Sequence, residues 1–192
     1  NKISNKQELN SYEQKTYDLF INRINLICKK AIKIKTPIFI DAEESWIQDA
    51  IDKIVLSLMK KYNQKEVLVY NTLQMYRNDR IAYLNKTITV AKNENFKLGF
   101  KLVRGAYHEK EIARAKKNGY KTPVHLRKED TDIDFNKSLE ICMSNIDIVS
   151  ICSGTHNIES SEYLISLMKE KGIKNNDKRI FSSQLLGMSD NI

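Results

Sequence analysis

The sequence predicts an α/β protein in which parallel strands alternate with helices, a partial (β/α)8 TIM-like barrel. Three observations predict it. Short apolar runs alternate along the chain with stretches whose apolar residues recur every three or four positions, the marks of buried strands and amphipathic helices. No hairpin signal separates any two of the runs, which argues for a parallel sheet. Polar residues also collect after successive runs: Asp41, Gln74, Arg104, Thr155 with His156, and Gln184. Convergence at the carboxyl ends of strands is how barrel active sites are built. An open doubly wound sheet places ligands at strand ends too, so on this pattern alone both architectures stay open.

Each element has its own signal. Tyr17, Phe20, Ile24, Ile27 and Ala31 lay one apolar stripe along a helix. Pro37 breaks that helix and opens the run Ile38–Ile40, which ends in Asp41. Ser45 is placed to cap a second helix bearing Ile47, Ile51, Ile54 and Leu58, and residues 67–70 read as the next buried strand. Ile81, Leu84, Ile88 and Ala91 mark a third helix, followed by a strand over 98–103. A charged helix around 109–117, a loop through Gly119 and Pro123, and a helix from about 132 to 143 lead to a fourth strand over 146–152. The last helix, 159–171, stops at Gly172, the favoured residue just past a helix end, and Ile180-Phe181 begins a fifth strand.

Composition bounds the function. An apolar fraction of 41% with 29% charged residues suits a globular core under a solvated surface. No apolar run approaches the roughly 20 residues that span a bilayer, and no secretory signal opens the chain. The formal charge of +8 is spread over nearly every helix, which reads as lysine-rich composition and not as a clustered nucleic-acid patch. Cys28, Cys142 and Cys152 lie far apart in apolar stretches and read as reduced core thiols, with neither a disulfide frame nor a metal site. The glycines are isolated, so neither the dinucleotide turn nor the P-loop is present. A closed barrel needs about 250 residues. With 192 residues, Asn1 at one end and no closing helix before Ile192, the expectation is one barrel domain over 1–192, incomplete at both ends.

Taken singly, the polar residues are ambiguous. Asp41 could equally be a cap or a salt-bridge partner, and His156 a capping-region residue satisfied by backbone. The linked strings are more specific: DAEESWIQDAI from Asp41, YNTLQMY from Tyr70, GFKLVRGAYHEKEIARAKKNGY from Gly99, GTHN from Gly154 and QLLGMSDNI from Gln184. In order and spacing these resemble the proline dehydrogenases, and the resemblance spans about residues 37–192, with KLVRGAY its most specific part.

The resemblance implies FAD lying across the carboxyl end of a distorted barrel and oxidation of L-proline to 1-pyrroline-5-carboxylate. Asp41 matches the strand-end aspartate beside the substrate, and Ala42 a flavin contact. Gln74 matches the glutamine that hydrogen-bonds the isoalloxazine, and Lys101 the basic residue set against the ring. Arg104, Gly105 and Ala106 match the segment that meets the cofactor, with Tyr107 beside the substrate. Thr155 and His156 match a pair that holds the cofactor, and Leu185 an apolar wall of the proline pocket. Asp41 and Lys101 are thereby the candidate catalytic pair. The family's early strand with a substrate-contacting lysine, and its final helix with paired arginines, have no counterpart in the sequence. The 192 residues alone are therefore expected to be inactive.

The residue chemistry agrees with these roles. Flavin that accepts hydride gains negative charge, which a fixed cation such as Lys101 or Arg104 stabilises. Gly105 and Ala106 let backbone approach a flat cofactor, and Gln74 offers both donor and acceptor. Lysine, unlike arginine, cannot fork onto two acceptors, so the role of Lys101 is electrostatic; its bland alternative is an interior lysine paired with Asp41 or Glu43. The resemblance also implies electron transfer to a quinone at a membrane surface. That places the protein in the cytoplasm beside the inner membrane in a bacterium, or in the mitochondrion of a eukaryote. Rival readings are another barrel flavoprotein of the methylenetetrahydrofolate reductase type, and a noncatalytic fragment.

Overall fold

The computed structural model describes residues 2–5, 7–185 and 187. In chain order the elements are α1 (Ser11–Lys33), β1 (Ile38–Ile40), α2 (Ser45–Tyr62), β2 (Val69–Gln74), α3 (Arg80–Glu94), β3 (Leu98–Val103), α4 (His108–Asn118), α5 (Lys128–Ser144), β4 (Val149–Gly154), α6 (Ile158–Glu170) and β5 (Ile180–Ser183). The five strands are all parallel and lie in the order β1-β2-β3-β4-β5. A doubly wound sheet reverses its strand order at a switch point; this one never does, so of the two architectures it is the barrel, here a half-barrel.

The outer face of the sheet is the core. Val69, Leu73, Leu98, Phe100, Leu102, Val149 and Ile151 pack against Val55, Leu58, Met59, Leu84, Ile88, Phe135, Leu139 and Leu164 from the helices. The inner face is layered, because period-two alternation sends every other residue inward and the register aligns them. Phe39, Tyr70, Gly99 and Ser150 form one layer; Thr72, Lys101, Cys152 and Phe181 the next; and Gln74 with Val103, and Gly154 with Ser183, the layer at the carboxyl end. Tyr70 fills the bottom, with its ring centre 4.8 Å from Phe39 and 6.4 Å from Phe181. Strands β2 and β5 would stand about 14 Å apart in a flat sheet, so the sheet curls to bring these rings together. Gly99 makes room: a Cβ there would lie 2.7 Å from Tyr70 Cγ. Burial pushes the Tyr70 phenol up to about 12.

Several boundaries differ from the sequence expectation. The second strand is Val69–Gln74, not 67–70, because Asn63 takes the N–H groups of Leu68 and Val69 and because the polar Asn71, Thr72 and Gln74 are all buried strand residues. The fourth strand starts at Val149, since the N–H groups of Ile148 and Val149 both turn back onto Asn145 O. Helix α5 starts at Lys128 with Glu129 and Asp130 in its first turn, and α1 starts at Ser11 under a reciprocal cap between Asn10 and Glu13. Ser45 does not cap α2: it is the first helical residue, and its own N–H and Oγ–H are held by Glu111 of α4. Cys28, Cys142 and Cys152 are free and buried.

Candidate active site

The carboxyl ends of the strands open into a cleft of about 790 Å³. Every residue singled out from the sequence lines it: Asp41 and Ala42 after β1, Gln74 at the end of β2, Lys101 within β3, Arg104 to Tyr107 after β3, Thr155 and His156 after β4, and Leu185 after β5. Residues 186 and 188–192 of the QLLGMSDNI string lie outside the described residues.

Lys101 points inward and its Nζ donates to Asp41 Oδ1 at 2.7 Å. Its side chain is 26% exposed while that of Asp41 is 69% exposed, so the lysine forms the floor and the aspartate the solvent-facing edge. This is the ion pair foreseen as the bland alternative for Lys101, and it sits within the cleft. Gln74, almost fully buried, bridges two backbone segments: its Nε2 donates to Glu43 O at 2.8 Å and its Oε1 accepts from Ala106 N at 2.9 Å. One N–H and one lone pair of that amide remain for a ligand. Gly105 has φ of +140°, and a Cβ there would fall 2.3 Å from Tyr76 Cδ1, so only glycine lets the turn rest on that ring.

Arg104 is committed to the protein. Nε donates to Asp132 Oδ1 at 2.5 Å, Nη1 to Thr155 Oγ1 at 2.6 Å and Nη2 to Ser160 Oγ at 3.0 Å, and the guanidinium lies 4.6 Å from the centre of the Phe135 ring. Burial by itself would raise the Asp132 carboxyl, but its bonds to Lys128 and Arg104 outweigh that and hold it below the usual range. Thr155 Oγ1 also accepts from Asn157 N at 3.0 Å, which leaves its proton to donate. His156 Nε2 accepts from Leu185 N at 3.3 Å, which puts the ring proton on Nδ1; that atom is buried without a partner among the described residues. Tyr107 donates to Glu43 Oε2 at 2.7 Å, and that bond, aided by burial, raises the phenol to about 12.

Glu43, Thr72 and Lys128 line the cleft as well and were not singled out as site residues. Thr72 carries a signal, since it stands two residues from both Tyr70 and Gln74 in β2 and shares their inner face, whereas Glu43 lies in the loop after β1, where alternation does not apply. Lys128 reaches the cleft because α5 starts there and not at about 132.

The family model described as proline dehydrogenase matches residues 1–192. The chain belongs to the proline dehydrogenase family. Among its relatives, mitochondrial proline dehydrogenase 1 of Drosophila melanogaster is 37% identical over 190 residues, which are 94% of this chain and 28% of that protein. The Homo sapiens protein of the same name is 33% identical over 177 residues, 90% of this chain and 29% of that one. The chain thus spans less than a third of either relative. A crystal structure of proline utilization A (PutA) from Bdellovibrio bacteriovorus matches its fold with a TM-score of 0.83 at 16% identity, over 92% of this chain and 18% of that one. Among the described residues, no helix is long and apolar enough to cross a membrane.

Proposed function

We propose that this chain carries the flavin side of a proline dehydrogenase site, in which L-proline is oxidised to 1-pyrroline-5-carboxylate. The observation that carries the reading is the meeting of eleven residues from five strand ends in one cleft, in a chain of this family. The residues fit a flat cofactor with polar edges. Among the described residues the buried Nδ1 of His156 lacks a partner; the Thr155 hydroxyl has a proton to give, and Gly105 and Ala106 offer backbone without bulk. FAD would be held by these groups with Ala42, Gln74 and Arg104, and when bound it supplies the two-electron acceptor.

The chain's own residues do the rest. Lys101 holds a positive charge in the floor, fixed by Asp41, where negative charge develops during the oxidation. Arg104, locked by four groups, fixes the turn that carries Gly105 and Ala106 and orients Thr155. Asp41, Tyr107 and Leu185 border the substrate. FAD held there would supply the electrons for a quinone at a membrane surface; the relatives' names support a mitochondrial location if the source is a eukaryote. The test is anaerobic titration of the full-length protein, followed in the flavin band. Bleaching by proline and not by methylenetetrahydrofolate is expected, with no bleaching from the 192-residue chain alone. Bleaching by the folate alone would reject the reading.

A further inference from the structure

Behind the cleft, α4 grips the first turn of α2 through three side chains on one face. Glu111 is fully buried, and both its oxygens are taken by one residue: Oε1 accepts from Ser45 N at 2.6 Å and Oε2 from Ser45 Oγ at 2.7 Å. Lys110 pairs with Glu44 and lies 5.6 Å from the centre of the Trp46 ring, and the Arg114 guanidinium lies 4.2 Å from it. Residues 110, 111 and 114 thus hold 44, 45 and 46 in sequence. Among the described residues Glu111 has no cation partner, an expensive arrangement for a buried carboxylate. Two short charge-assisted bonds and the positive end of α2 offset part of the cost.

A local side chain would have satisfied the start of α2 without burying a charge, as Asn10 and Asn157 do for α1 and α6. What the distant carboxylate adds is a tie between segments 66 residues apart. One is the β1–α2 loop with Asp41, Ala42 and Glu43. The other is the β3–α4 turn with Arg104 to Tyr107. Of the other side-chain ties, Asp41 to Lys101, Glu43 to Tyr107 and Glu44 to Lys110 involve groups that water or a ligand can reach, while buried Gln74 links Glu43 O to Ala106 N nearer the strand ends; the Glu111 bond is the buried tie that acts at the start of α2.

We propose that Glu111 is a positioning residue for the cleft: through Ser45 it fixes where Asp41 to Glu43 stand relative to Lys101 and Tyr107. The catalytic consequence rests on the reading of the cleft as a proline and flavin site; the mechanical one does not. In the full-length protein, Glu111→Ala should speed amide exchange at residues 43–46 at least about tenfold, with amides of β4 and α6 within about twofold of wild type. Its kcat/KM for proline should fall at least about tenfold, mostly in kcat. Glu111→Gln keeps an oxygen for the Ser45 N–H and should return both readouts to within about threefold. If Glu111→Ala fails to fold, Ser45→Ala replaces it, with a rise of about threefold expected at the same amides. Unchanged exchange at 43–46, or an equal rise along the whole chain, overturns the proposal. If the wild-type protein does not oxidise proline, the reading of the cleft has failed and the exchange pattern alone decides the role of Glu111.

Discussion

On one side of the cleft, three residues of the β1–α2 loop and the first residue of α2 each reach a residue of β3–α4: Asp41 to Lys101, Glu43 to Tyr107, Glu44 to Lys110 and Ser45 to Glu111. On the other side, after β4 and β5, His156 makes one long bond to Leu185, its Nδ1 is unpartnered among the described residues, and Leu185 is 67% exposed. The two walls have different tasks. The first is built in advance and holds charge in place, which is what electrostatic preorganisation requires. The second leaves a donor unpartnered among the described residues, which on the proposed reading a ligand would complete. Four substitutions test this division, and they are given from the largest expected effect to the smallest.

Gly105→Ala should damage the closed wall most. At φ of +140° with Tyr76 at 2.3 Å from the new Cβ, the turn must move, at a combined cost of about 3 kcal/mol from backbone strain and overpacking. Denaturant unfolding of the full-length protein measures it; a change under about 1 kcal/mol would mean that this wall yields easily. Lys101→Met removes one charge at nearly constant length and leaves Asp41 hydrated at the edge, so the fold should persist. Single-turnover flavin reduction by proline should slow about 10- to 100-fold, and an unchanged rate would reject the electrostatic role.

On the open wall, His156→Ala should weaken FAD retention about tenfold while leaving the KM for proline nearly unaltered. A large rise in KM with full flavin occupancy would instead assign His156 to the substrate. The smallest effect is expected from Tyr107→Phe, below about 1 kcal/mol. Because the Tyr107 phenol is raised from 10 to about 12, its contribution is complete below pH 10 and is lost as pH rises to about 12. The difference between wild type and Tyr107→Phe in unfolding free energy should shrink over that window; a difference that grows there would give the bond the wrong sign.

The strand–helix alternation was legible because apolar spacing records burial, and the inner-face residues were legible because they follow apolar runs at period two. What apolar spacing cannot see is a polar strand. Asn71, Thr72 and Gln74 continue β2 because each is buried with a partner supplied from elsewhere: Asp52, Asp41 and the backbone of Glu43. Ile146 and Ile148 look like strand residues, yet they belong to a turn closed on Asn145. Ser45 resembles a cap by local rules, and its true partner is 66 residues away, beyond the reach of any local rule. Choosing the barrel over the open sheet needed the strand order, which five similar apolar runs do not encode one by one.

The most direct test of the central claim is a crystal structure of the full-length protein with FAD and a nonreactive proline analogue. The account predicts the isoalloxazine ring in this cleft, with the Lys101 ammonium against it, Gln74 at its edge, the Gly105-Ala106 backbone along it, and a new hydrogen bond to His156 Nδ1. A flavin bound elsewhere, with the Lys101–Asp41 pair facing only solvent, would contradict it.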